Sequence, residues 1–476
     1  MIGKWVILFI ISAGVFLANL DVTVNVALPE LSRYFQADPG IVYLIIVAYV
    51  GTSVALQISI GKAGDVYGLR GIYLFGLCSY SISMVCISLS QDIFSVIALR
   101  VIQAIGNAVF LAICPAFLST VFPIDVRGRV LGLMTAIGSF GMIIGTLSAG
   151  FILEYLSWHW IFLGRLPFCI IAIIGTIFIL KNPEENRWNY ADKNRMFDIK
   201  ESILLFSFIM SIVIFVNIAA SEKYLLLFKF IVLLPVPILF LMFIRYQRVT
   251  PNPLLQIEIL NKPVLLMGFI SNSLLWFATF INFYILPYFI TNILKLPSRN
   301  LGLLLMSSAI GNSIFSPIAG FLSDKFKPGI VSFIAYLIVT ITTFSFTSIS
   351  TKISFSGLII RTFFIGIGVG SFTSANQSMV ITSIGKKDKG IASALSSVSR
   401  GVGIIASVPI MGNIFEYLYD NGSNGIKILN AASTEKSVVS YFSAIYSIYW
   451  VSLLFAFLGL ISVLISWKYD LKQSYL

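Results

Sequence analysis

The sequence predicts an all-α membrane protein of about fourteen transmembrane helices: two similar six-helix bundles related by a pseudo-two-fold repeat, with two extra helices between them. Composition is the first observation. Of 476 residues, 58% are hydrophobic and 11% charged, more apolar surface than a water-soluble core of this size buries. The second is that the apolar residues fall into fourteen blocks near bilayer length: 5–28, 41–60, 72–90, 93–117, 130–153, 158–180, 202–218, 225–244, 264–290, 300–322, 329–348, 353–378, 390–414 and 440–466. The third is a repeat. Gly61–Asp65 returns as Gly320–Asp324 and Arg100 as Arg361, at offsets of 259 and 261 residues, as in membrane proteins built from two similar halves. The expected division is residues 1–181 as the first bundle, 182–262 as a cytoplasmic linker with two inserted helices, and 263–476 as the second bundle.

Charge supports the same topology. With the N-terminus in the cytoplasm, twenty of the 32 basic residues fall on that side and seven on the other. This bias follows the positive-inside rule, so the net charge of +12 reflects topology and not nucleic-acid binding. Both termini are expected in the cytoplasm of a multi-pass cell-membrane protein. The first apolar run lacks a small-residue cleavage site and is followed by more spans, unlike a signal peptide. Cys78, Cys86, Cys114 and Cys169 all lie in apolar segments and make no disulfide or metal spacing. The single His159 excludes a His-pair metal site, and no phosphate-binding loop points to an ATP-driven pump. No cofactor is expected. Nor is enzymatic chemistry, since no nucleophile–base pair stands out.

The first segment carries Leu20–Pro29, read LDVTVNVALP. Asp21 lies at membrane depth, where a carboxylate is costly and marks a functional site. Asn25 follows four residues later, on the same face of a continuous helix. The second segment ends in Gly61, Asp65, Gly68 and Arg70, where glycines permit a tight turn and the charged residues can pair or cap a neighbouring helix. In the fourth segment Arg100, Gln103 and Asn107 share one face. In the fifth, Gly138, Gly141, Gly145 and Ala149 form a small-residue stripe for close helix approach. The sixth begins with Trp158 and Trp160 at an interface, and Arg165 lies about two turns inside it. Segments seven and eight hold few polar groups. Asn272, Trp276 and Asn282 mark the ninth, Arg361, Asn376 and Gln377 the twelfth, and Arg400 the thirteenth; 415–439 reads as a longer outer loop.

Taken together, these residues resemble the fourteen-helix drug:proton antiporter branch of the major facilitator superfamily over nearly the whole chain. LDVTVNVALP is similar to that branch's first-helix motif. Gly61–Arg70 resembles the cytoplasmic loop motif, Arg100–Gly106 the fourth-helix motif linked to proton transfer, Gly141–Gly150 the fifth-helix antiporter motif, and Trp158–Pro167 the branch's WRWIFLINLP stretch. There are departures. The family usually has one more residue between the helix-1 acid and amide, which turns one side of the motif by about 100°. Val66 and Leu69 replace basic residues, Ala104 a glycine and Thr146 a proline; His159 stands for Arg, and Arg165 for Asn.

The resemblance implies a secondary active transporter, monomeric in the bilayer by family expectation alone, that exports small hydrophobic drug-like compounds against protons by alternating access. Asp21 and Arg100 are the expected proton-coupling pair. Asn25, Gln103, Asn107, Arg165, Asn272, Trp276, Arg361, Asn376, Gln377 and Arg400 are the expected cavity residues. Gly61, Asp65, Gly68 and Arg70, with Gly320, Asp324 and Lys325, form the expected cytoplasmic gate, and Gly138, Gly141, Gly145 and Gly150 the antiporter motif. An alternative comes from the balance of one deep acid against four deep arginines: export of an anionic or lipid-like amphiphile. Arg100, Arg361 and Arg400 stand where the family commonly has Arg, so Arg165 is the residue that bears on it. A non-transporting membrane receptor or scaffold is the other class, since fold does not fix function.

Overall fold

The computed structural model describes residues 2–122, 124–180, 198–220, 225–250, 262–349, 353–383, 389–423 and 435–473. Most of the expected linker, 181–197, lies outside them, as do the side chains of Asp65 and Asp324.

The first span is two helices, α1 (Ile2–Leu20) and α2 (Thr23–Tyr34), bent by 40°. This corrects the expectation of one continuous helix with Asp21 and Asn25 stacked on it. At the break Val22, Val24 and Asn25 donate to the carbonyls of Asn19, Asp21 and Val22, three residues back instead of four. That tightened turn takes up the short motif. Pro29 inside α2 leaves the Asn25 carbonyl without its helical donor.

Then come α3 (Pro39–Tyr67), α4 (Leu69–Ser88), α5 (Ile93–Val121) and α6 (Ile124–Tyr155). Gly68 joins α3 to α4 at φ 94°, a conformation that L side chains rarely adopt. Thr146 bonds its own helix, to the Met142 and Ile143 carbonyls, and α6 runs unbroken where the family proline would interrupt it. The sixth span is α7 (His159–Leu163) and α8 (Leu166–Phe178). Arg70 donates through Nη2 to the Ile177 carbonyl (2.9 Å) and through Nε to that of Thr176 (3.4 Å). It therefore caps the end of α8, one of the two roles its motif allows. Arg70→Ala is expected to lower stability by about 1 kcal/mol, seen as a lower melting temperature in detergent. Arg70→Lys should recover only part of that, because an ammonium cannot span both carbonyls.

The insertion comprises α9 (Ile199–Ala220), α10 (Leu226–Leu233) and α11 (Pro235–Val249). Its polar groups are few but organised. Glu201, fully buried, accepts from Gln247 Nε2 (2.9 Å) and lies 3.9 Å from Lys62 Nζ. Its own helix, α9, packs on both α3 and α17 (Lys389–Ser423), along the seam between bundles.

The second bundle holds α12 (Pro263–Phe280), α13 (Asn282–Tyr288) with a π turn at Phe289–Ile293, α14 (Ser298–Lys325), α15 (Pro328–Phe346), α16 (Phe355–Thr382), α17 (Lys389–Ser423) and α18 (Glu435–Gln473). Here α17 runs well past the expected end at 414. Phe415 and Tyr419, one turn apart, both pack on Tyr441 and draw the helix onward.

Across the seam, α6 packs on α14 and α3 on α17, the fifth span of each bundle against the second of the other, while α2 meets α13. This is the pattern a two-fold repeat produces. Several links tie the bundles at the end bearing turns 35–38 and 294–297. Arg33 donates to Asn292 Oδ1 (2.9 Å), Arg299 lies 3.7 Å from Glu154, and Gly150 meets Gly302 backbone to backbone.

Candidate functional site

A cavity of about 220 Å³ lies between the bundles, walled by α1, α2, α3, α5 and α6 on one side and by α12, α13, α14, α16 and α17 on the other. Its wall is mostly aromatic and aliphatic, with Tyr49, Met142, Trp276, Phe280, Phe283 and Leu286 prominent. Such a surface suits an apolar ligand oriented by a few polar groups. Asn25 and Asn312 supply two amides that hydrogen-bond no other described residue. Asn282 is already engaged, accepting from Tyr449 Oη (2.8 Å).

Among the wall residues Asp21 and Arg100 carry charge. Asp21 sits at the α1–α2 break, only 6% exposed, held by two guanidinium groups. Arg100 reaches it from α5 in a bidentate pair, Nη1 to Oδ1 at 3.0 Å and Nη2 to Oδ2 at 2.7 Å. Arg165, at the N-terminus of α8, donates to Asp21 Oδ1 from behind the wall. Each guanidinium is itself held. Arg100 donates to Gln103 Oε1 (2.7 Å) and stacks 3.9 Å over the Tyr49 ring. Arg165 donates to Tyr80 Oη (3.1 Å) and to Thr23 Oγ1. The three charges sum to +1, so the site is a positive clamp closed on one carboxylate. Such a clamp is stable only while both partners stay, since removing one leaves a buried charge uncompensated.

The other predicted residues are spread more widely. Asn25 and Trp276 are on the wall. Gln103 stands behind Arg100, and Asn107 ties α5 to α3 through Ser53 Oγ (2.8 Å). Asn272 donates to the Ser396 carbonyl and Ser399 Oγ, and Asn376 to the Gly268 carbonyl; both join helices off the wall. Gln377 is off the wall too. Arg361 bonds Ser348 Oγ (3.1 Å) near one end of α16, and among the described residues the echo of Arg100 brings no second acid clamp. Arg400 is half-buried beside the wall, 5.8 Å from the Trp276 ring centroid.

In the gate motif, Gly61 has open space around it, Gly320 lies against Ser374, and Lys325 approaches the Phe326 ring. The α6 stripe serves two partners. A Cβ on Gly141 or Gly145 would meet the α1 carbonyls of Phe16 (2.6 Å) or Leu20 (2.9 Å), and Gly138 lies against Val15 and Asn19. Gly150 faces α14, where a Cβ would lie 2.9 Å from the Arg299 Cα.

Sequence reasoning missed Tyr49, Thr23 and Tyr80, the groups that seat the arginines. It also missed Glu416, which accepts from Tyr284 Oη (2.9 Å) and lies against Gly40 at the start of α3. The continued apolar pattern from Ile414 to Tyr419 carried the signal for it.

The description "Major Facilitator Superfamily" matches residues 5–280 and 268–473. The riboflavin transporter RibZ of Clostridioides difficile (strain 630) is 24% identical over 460 residues, covering 96% of each chain. The putative multidrug resistance protein MdtD of Pectobacterium carotovorum subsp. carotovorum (strain PC1) is 31% identical over 193 residues, about 40% of each. Among solved structures, a D-xylose–proton symporter superposes with a TM-score of 0.67 at 14% identity, covering 98% of this chain and 97% of that one.

Proposed function

The chain belongs to the Major Facilitator Superfamily and is a multi-pass secondary transporter, and on that premise we propose that it exports hydrophobic aromatic compounds of drug-like size in exchange for protons. The observation that carries this reading is a cavity walled by both bundles with a buried carboxylate–guanidinium clamp set in its wall. The basic bias of the loops supports cytoplasmic termini in the cell membrane. In that orientation the tied end is the outer one, and the cavity loads from the cytoplasm. Transport then requires the α6–α14 seam to part.

Asp21 is the proton carrier. Exposed to the outside, it takes a proton and loosens its hold on the two guanidiniums, which stay seated on Gln103, Tyr80 and Thr23. Closing the clamp again on the cytoplasmic side expels the proton, because two adjacent positive charges favour the carboxylate. The named activities of RibZ and MdtD support small organic substrates, riboflavin-like or drug-like.

Proteoliposomes holding only this protein test the proposal. An imposed pH gradient should drive accumulation of at least one compound from a panel of riboflavin, neutral polycyclic aromatics, aromatic acids and hydrophobic cations, and Trp276→Ala should slow it. Accumulation indifferent to the gradient would contradict proton coupling.

A further inference from the structure

We propose that the cavity selects aromatic carboxylates over aromatic cations, with Arg400 and Trp276 forming the subsite that receives the carboxylate. This rests on the cavity being the transport site and names its substrate class.

The charge around the cavity is lopsided. Among the described residues Asp21 is the one acid on the wall, and both its oxygens are occupied. A cationic ligand would have to displace a guanidinium from a bidentate pair to reach it, and would meet a net positive clamp on approach. Arg400 adds a second positive site from the other bundle. It lies one helical turn before Ile404, a wall residue, and so on the same face of α17. Among the described residues it makes no hydrogen bond or ion pair, and its guanidinium lies near the Trp276 ring. A charged group at membrane depth with no counter-charge marks a ligand path. Trp276 points to the same corner. Its ring is on the wall and its Nε1–H is buried without an acceptor. A carboxylate there supplies what both lack, accepting from the guanidinium and the indole. The ring of such a ligand would lie along Phe280 and Phe283, within reach of the Asn25 and Asn312 amides.

The test is equilibrium binding to the full chain in nanodiscs with three probes of one shape: 2-naphthoate, 2-naphthamide and 2-naphthylmethylammonium. No gradient is applied, so the outcome is independent of whether transport is proton-coupled. Naphthoate is expected to bind at least about tenfold more tightly than the ammonium. Arg400→Gln should weaken naphthoate about tenfold and leave naphthamide nearly unchanged, while Arg400→Lys keeps most of the preference. Retained naphthamide binding shows that the variant is folded. Arg165→Gln, which frees one side of Asp21, should narrow the naphthoate-to-ammonium ratio. Equal or tighter ammonium binding in the wild type overturns the proposal, as does naphthoate affinity unmoved by Arg400→Gln, or no naphthoate binding at millimolar concentration.

Discussion

Gly302→Leu is expected to cut transport to below about a tenth of the wild-type rate while leaving the protein folded. A Cβ at Gly302 would lie 2.7 Å from the Thr146 carbonyl oxygen and 3.2 Å from the Gly150 Cα. Both are backbone atoms in long helices, so neither can swing aside as a side-chain tip would. The added side chain must push α6 away from α14, at a cost of about 1–3 kcal/mol to the state in which that end is tied. A cysteine placed at Asn25 should then react with an impermeant thiol reagent added from the tied end, where it is protected in the wild type. Unchanged helical circular dichroism and a monodisperse profile in detergent check the fold. Wild-type flux in Gly302→Leu would mean that the seam has room to spare.

Asp21→Asn is expected to be the most destabilising polar substitution in the cavity. It leaves Arg100 and Arg165, 1% and 2% exposed, facing each other without a counter-charge. Breaking a buried pair in this way costs about 3–5 kcal/mol, seen as a large fall in melting temperature. The cost should depend on Arg165. Arg100 keeps Gln103, the Ile45 carbonyl and the Tyr49 face, so removing the second charge relieves most of the penalty. The double variant Asp21→Asn, Arg165→Gln should therefore melt well above Asp21→Asn alone. Additive losses in the two single variants would show that the three charges do not act as one unit.

The fold was legible because membrane spans announce themselves by length and apolarity, and the repeat by Gly61–Asp65 and Gly320–Asp324. Asp21, Arg100 and Arg165 stood out for the same reason: charge at membrane depth has few explanations. What the sequence did not reveal was which residues meet. Arg361 matched Arg100 in spacing, yet the hydroxyl within its reach is Ser348. Asn272 and Asn376 read as cavity residues because amides in apolar helices suggest ligands; in the structure they bond the backbones of neighbouring helices. Tyr49 and Tyr80 gave no signal, since a tyrosine in an apolar helix is as readily packing as partner. The helix-1 break was hidden because a one-residue shortening shows only as a departure from a pattern, and its remedy is a tightened turn.

The most direct measurement is substrate-triggered proton movement in proteoliposomes, comparing wild type with the Asp21→Asn, Arg165→Gln double variant, whose fold the lost charge pair no longer endangers. If Asp21 carries the proton, the wild type moves protons when substrate is added, and the double variant binds substrate without moving any. Equal substrate-linked proton movement in both would contradict the assignment and place coupling elsewhere in the chain.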